Sequence, residues 1–223
     1  MASFRTHISV GIALGVAGAI GSLGLAFAPA SFDIAILIFI ACTIGALMPD
    51  MDSDSGIPFH VTFGSLSLIT AGLIFYYALQ RSNGDYLIAT LSALSAGAII
   101  WVVVGSVFKK CTKHRGMAHS TPAAILAGLV TLTLALAVQF DSWTATYLGI
   151  AVTAGYLAHL MLDEFHAAVN FHGTPFIPNK ALGSALKFTS RNKAITTSVY
   201  IAIILLIIWN SDVLSLLANR VTQ

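Results

Sequence analysis

Charge is what this chain has least of. Only 9% of its 223 residues are charged and 57% are hydrophobic, with a mean hydropathy of +0.87, whereas soluble domains carry roughly 25% charged residues. So few charges cannot coat a water-soluble particle of this size, which excludes an ordinary soluble enzyme. They suffice to cap the ends of several membrane helices. A strong basic excess is missing as well. The net charge is +2, and the basic residues are bunched in loops, where membrane topology accounts for them better than nucleic acid does. No direct nucleic-acid partner is expected. Cysteine is scarce: Cys42 lies in an apolar run and Cys111 in a basic loop, so no disulfide is expected. The sequence shows no repeat, linker or low-complexity segment.

What the chain does have is a series of long apolar runs, at roughly 8–28, 34–48, 61–80, 86–108, 121–140, 144–163 and 196–217. Most approach the ~20 residues that a bilayer requires. The expected fold is therefore all-α, a polytopic membrane bundle of about seven transmembrane helices, forming one integral-membrane domain over residues 1–223. The first run follows Arg5 and precedes Ala28 and Ala30, which gives it the flanks of a signal peptide, but its length suits a retained helix better. The second run is short, so its helix is expected to begin earlier, near Ser31, or to sit at the bilayer edge.

Loop charge orients the bundle. Arg5, Lys109, Lys110, Lys113, Arg115, Lys180, Lys187, Arg191 and Lys193 fall on one side, leaving Arg81 and Arg220 on the other. The amino terminus is thus expected in the cytoplasm, with the loops near 49–60, 109–120 and 164–195 inside. Pro49 closes the second helix, Pro122 fits the first turn of the fifth with Thr121 as its cap, and Asn83-Gly84 marks a turn. Gly11, Gly15, Gly18, Gly21 and Gly24 lay a small-residue track along the first helix, which suits close packing within the chain.

All seven histidines, His7, His60, His114, His119, His159, His166 and His172, fall on or just beneath the expected cytoplasmic face. The sharpest element runs Gly155-Tyr156-Leu157-Ala158-His159-Leu160-Met161-Leu162-Asp163. His159 and Asp163 are one helical turn apart there and share a face, so together they can hold a divalent ion. An ionisable pair at the end of an apolar helix is costly without a partner or a function. The alternative is a histidine that bonds only to its own helix. A second element, His114-Arg115-Gly116-Met117-Ala118-His119-Ser120, places two imidazoles around a glycine just before a helix start. Both can converge as ligands, and Arg115 can clamp a phosphate beside the free amides of that helix. The plainer reading is a basic juxtamembrane loop meeting anionic membrane lipids, a role expected of Lys109, Lys110 and Lys113 in any case.

The third element, Met48-Pro49-Asp50-Met51-Asp52-Ser53-Asp54, ends a helix in alternating carboxylates. It fails as an EF-hand loop, because Ser55 stands where glycine is needed and Val61 where the closing glutamate belongs. In extended backbone Asp50 and Asp52 would share an edge and could bridge metals. As a mere acidic cap they are poorly placed, since carboxylates oppose the dipole at a helix C-terminus. His7 at the start of the first helix gains weight only in company with these groups.

Taken together, Thr6-His7 opening a helix, Leu-Met-Pro-Asp-Met-Asp at 47–52, His-Arg-Gly-x-x-His-Ser at 114–120 and Gly-Tyr-x-x-His-x-x-x-Asp at 155–163 resemble the YdjM-like family. The resemblance spans about residues 4–165 and rests on four motifs in order and spacing. It implies a multi-pass bacterial inner-membrane protein of a kind described as metal-dependent hydrolases and associated with LexA regulation. On that resemblance His7, Asp50, Asp52, His114, His119, His159 and Asp163 would be the metal-site residues. After Asp163 the chain departs from the family pattern, reading Glu164-Phe165-His166 and then Gly173-Thr174-Pro175-Phe176-Ile177-Pro178. A more distant analogy is with zinc-dependent phospholipase C and single-strand nucleases, which act on phosphodiesters with clustered zincs.

Three functions follow for testing. The first is a metal-dependent hydrolase of a phosphoester or lipid-linked phosphate, using zinc or, if aspartates dominate, manganese. Asp52 would act in it as base and Arg115 would steady developing charge. The second is a transporter, disfavoured because the helix centres hold only apolar, Gly, Ser and Thr residues. The third is a membrane scaffold or regulator-binding protein in which any metal only staples loops.

Overall fold

The computed structural model describes residues 3–24, 31–52, 57–106, 116–169 and 182–221. Helix α1 spans Phe4–Leu23, and α2 spans Phe32–Leu47 and tightens into a 3₁₀ turn at Met48–Asp52. Then come α3 (Ile57–Arg81) and α4 (Tyr86–Ala98), which runs into a π-helical turn at Ile99–Val104. The rest is α5 (Thr121–Ala137), α6 (Ser142–Val169), α7 (Lys193–Trp209) and α8 (Ser211–Val221). The all-α expectation holds, with no strand among the described residues.

Several of the apolar runs open with a polar side chain that satisfies first-turn amides, which lipid cannot do. Asp85 accepts from the amides of Leu87 and Ile88, and Asn192 from those of Ala194 and Ile195. Asp141 accepts from the amides of Trp143 and Thr144 and from the Thr144 hydroxyl at 2.5 Å. That hydroxyl above all, and then the two amides, hold the Asp141 carboxyl below its ordinary range. The second helix does begin early, with Ser31 at its N-cap. Asn83 and Gly84, at φ 54° and 90°, form the expected turn.

Two expectations need correction. The cap of α5 is Ser120 rather than Thr121: Ser120 is extended and its hydroxyl accepts from the Ala123 amide, while the Thr121 amide donates outside its helix to the Lys187 carbonyl. The last run is two helices, broken at Asn210. The side-chain amide of Asn210 is buried and donates to the Thr133 hydroxyl at 2.9 Å and to the Leu206 carbonyl at 2.7 Å, competing with helical continuation. Among the described residues, four helical segments are long and apolar enough to cross a membrane: Phe4–Leu23, Phe32–Asp50, Tyr86–Val104 and Ser142–Val169. Thr121–Ala137 and Lys193–Trp209 are apolar but shorter.

The chain divides into two compact units, Met1–Pro49 with Arg115–Gln223, and Asp50–His114. In the first, α2 packs against both α1 and α6, α1 also reaches α6, α6 packs on α5, and α5 meets α7. Large side chains point outward, as in the exposed α2 stripe Phe32, Ile36, Ile40 and Ile44. The buried side chains are mostly small or polar, with Ile38, Leu132, Leu148 and Leu160 among the larger exceptions. That inversion suits lipid, which solvates bulky apolar groups and leaves close backbone contact to hold helices together. A Cβ on Gly155 of α6 would overlap the Cys42 carbonyl oxygen of α2, so the two backbones touch there. On α1 the glycine track packs within the chain at Gly11 and Gly15, against Ala46 and Phe39, and is open at Gly21.

The second unit is the α3–α4 hairpin with its π-helical turn. The Ser67 hydroxyl donates to the Gly97 carbonyl at 2.8 Å. Phe59 and Phe63 are buried with ring centroids 4.6 Å apart, and exposed His60 stacks on Trp101 at 5.4 Å.

Candidate metal centre

Helix α6 buries Thr144, Leu148, Val152, Tyr156, His159 and Asp163 at spacings of three and four. One face therefore enters the protein along its whole length. His159 and Asp163, each 1% exposed, lie near the end of that face. The close approach at Gly155 brings the end of α2 alongside, and His159 Nδ1 sits 2.7 Å from the Ala46 carbonyl oxygen. A carbonyl only accepts, so Nδ1 carries the proton and donates. Nε2 is then the lone-pair nitrogen, and it faces Asp163 Oδ2 at 4.0 Å. A backbone carbonyl that fixes the tautomer and aims the other nitrogen is the usual outer partner of a metal-binding histidine.

His7 enters from α1. It is 2% exposed, and its ring stacks on that of His159 with centroids 3.6 Å apart and planes 11° from parallel. Gly11, one turn further on, lets α1 settle this close to Ala46. His7 Nε2 lies 3.3 Å from Asp163 Oδ1, and His7 Nδ1 has no hydrogen-bond partner among the described residues. One ligand atom from each of His7, His159 and Asp163 falls within 4.8 Å of the others. A tetrahedral ion bonded at ~2.0–2.2 Å spaces its donors ~3.3–3.6 Å apart. The donor set suits a divalent metal in its chemistry, and the stacked rings of His7 and His159 would have to turn toward each other to share one ion, because each imidazole lone pair lies in its own ring plane.

His119 is also 1% exposed, and its ring stands edge-on to His159 with centroids 5.8 Å apart and planes at 71°. Its loop is held from three sides. The Tyr156 hydroxyl donates to the Ala118 carbonyl, the Ser120 hydroxyl donates to the Met117 carbonyl at 2.5 Å, and Ser120 pairs with Lys187 in a β-bridge.

Asp50 is half-buried and Asp52 closes the 3₁₀ turn. The extended alternation expected to put both carboxylates on one edge is therefore overturned. A 3₁₀ turn rotates ~120° per residue, so positions two apart diverge by ~240°. His114, Arg115, Asp54, His172 and Cys111 lie outside the described residues. His166 donates from Nδ1 to the Leu162 carbonyl at 2.9 Å, within its own helix. Sequence reasoning missed three contributors: the Ala46 carbonyl, the Tyr156 hydroxyl and Glu164, whose carboxylate accepts from the amides of Gly183 and Ala185. Gly45-Ala46 opposite Gly155 was the available signal, since paired small residues mark touching helices.

No curated protein and no solved structure matches the chain. The family model of the YdjM inner membrane protein matches residues 1–220, nearly the full length. With several apolar helices, a buried histidine–aspartate cluster and this match, the chain belongs to the YdjM inner membrane protein family and is a multi-pass inner-membrane protein.

Proposed function

We propose that this protein is a metal-dependent hydrolase acting at the cytoplasmic face of the inner membrane on a phosphoester or lipid-linked phosphate. The observation that carries the reading is the buried trio His7, His159 and Asp163, with His159 oriented by the Ala46 carbonyl. Burying a carboxylate against imidazoles in an apolar bundle is costly unless a cation joins them. His119 extends the imidazole set. Asp50 and Asp52 are proposed as further carboxylate ligands on the family resemblance. Two imidazoles and one carboxylate favour zinc, and manganese gains if Asp50 and Asp52 join. A divalent ion held there supplies Lewis acidity and activates water as a nucleophile.

The protein's own groups divide the remaining work. His159 keeps its lone pair aimed because Ala46 holds its proton. Asp52 takes a proton as base, Arg115 clamps the phosphate, and His114 is a further proposed metal ligand. The membrane supplies lipid substrate. Association with LexA is proposed on the family resemblance alone.

The near-complete burial of His7, His159 and Asp163 favours a second reading, a scaffold whose closed metal site staples α1 to α6. Metal content per chain, measured by mass spectrometry on monodisperse detergent-purified protein, tests the shared premise. We expect stoichiometric zinc or manganese in wild type and its loss in both His159→Ala and His119→Ala. Wild type that stays metal-free after reloading removes the hydrolase and the stapled scaffold alike. Phosphoesterase turnover by the loaded protein then separates the two.

A further inference from the structure

His7, His159 and Asp163 are 2%, 1% and 1% exposed, so a substrate reaches them only if part of their surroundings moves. Helices α1, α2 and α6 are poor candidates, because their backbones come into close contact at Gly15 and Gly155. The described segment 182–188 is different. It has no helix or strand of its own, and it presents Leu182, Leu186 and Phe188 outward at 46%, 39% and 62% exposure. Ala185, among the smallest of apolar anchors, is its buried apolar side chain, packed on Ala124, Tyr156 and Leu160.

The rest of its hold is polar. The Thr121 amide donates to the Lys187 carbonyl at 3.1 Å, and Tyr200 donates to the Phe188 carbonyl at 3.0 Å. At the near end the two oxygens of Glu164 accept separately, Oε1 from the Gly183 amide and Oε2 from the Ala185 amide. Gly183 sits at φ 78°, which lets the amides of residues 183 and 185 converge on one carboxylate. Glu164 follows Asp163 on α6, and one residue of helix turns ~100°, so it leaves the cluster face and points to the segment instead. The same segment bridges Ser120, the residue after His119.

We propose that residues 182–188 form a strap closing the buried histidine cluster and that the Glu164 carboxylate is its latch. The strap deepens the hydrolase reading, on which its purpose rests: it would open to admit a phosphoester and exclude bulk water once closed. Glu164→Gln leaves one acceptor oxygen where two amides need one each, and Gly183→Ala strains the left-handed turn from the other side of the same contact.

The test is diethyl pyrocarbonate labelling of the full chain in nanodiscs after chelator treatment, read residue by residue by mass spectrometry. In Glu164→Gln and in Gly183→Ala we expect labelling of His119 and His159 to rise about tenfold or more, the factor set by losing one charge-assisted hydrogen bond. Exposed His60 should label at the wild-type rate, and the double variant should match the stronger single one. Unchanged labelling of His119 and His159 in both variants overturns the strap, even if the Gly183 and Ala185 amides exchange faster. Because imidazole access is read without metal, this result stands or falls separately from the metal-content measurement.

Discussion

The two compact units bury different chemistry. The unit made of Met1–Pro49 and Arg115–Gln223 encloses His7, His119, His159 and Asp163 among small residues. The buried side chains described in Asp50–His114 are apolar: Phe59, Phe63, Ala89 and Ala93, with His60 left exposed on Trp101. Helix pairs in a membrane need only shape and a few hydrogen bonds to associate, which is what α3 and α4 use. Enclosing ionisable groups demands more. The backbones must come close enough for a carbonyl such as that of Ala46 to serve as a partner, and glycine is what permits it.

The sharpest way to break this contrast is Gly155→Ala. Its new methyl meets backbone rather than a yielding side chain, so α2 and α6 must separate. We expect a loss of about 3 kcal/mol or more, together with loss of bound metal, measured by thermal unfolding in detergent and by metal content. Phe63→Ala probes the other unit. It should cost about 2–3 kcal/mol, below the 3–5 typical of soluble cores because lipid is as apolar as the vacated site. Metal content should stay at the wild-type level, and its loss would erase the distinction between the units.

The smallest effect concerns the end of α6 far along the helix from Asp163. Asp141 is depressed below the ordinary aspartate value of 3.8 by Thr144. Its contribution is therefore fully present above that value and is lost as pH falls through the lower folded value. Wild type should lose slightly more thermal stability than Asp141→Asn between neutral pH and pH below ~4. Metal-site titration would instead be insensitive to this substitution.

Much of the fold was legible because its signals are local. Apolar runs, Ser31, Pro49, Asn83-Gly84 and the i, i+4 pair His159–Asp163 need only neighbours in the chain to be read. The failures were also physical. Thr121 lost its role as cap because a carbonyl from Lys187 claimed its amide, and Asp50 and Asp52 lost their shared edge because the helix tightened into 3₁₀ instead of extending. Residue 210 broke the last run through a bond to Thr133, remote in sequence.

By itself the sequence determined that this is a helical membrane protein, and which face of α6 is polar, since hydropathy and helical period are properties of the chain alone. Only the tertiary structure decided that His7 stacks on His159, that Ala46 fixes the proton of His159, and that Glu164 turns away to hold residues 182–188. Those facts depend on how closely α1, α2 and α6 approach, a distance set by glycines meeting backbone across the bundle.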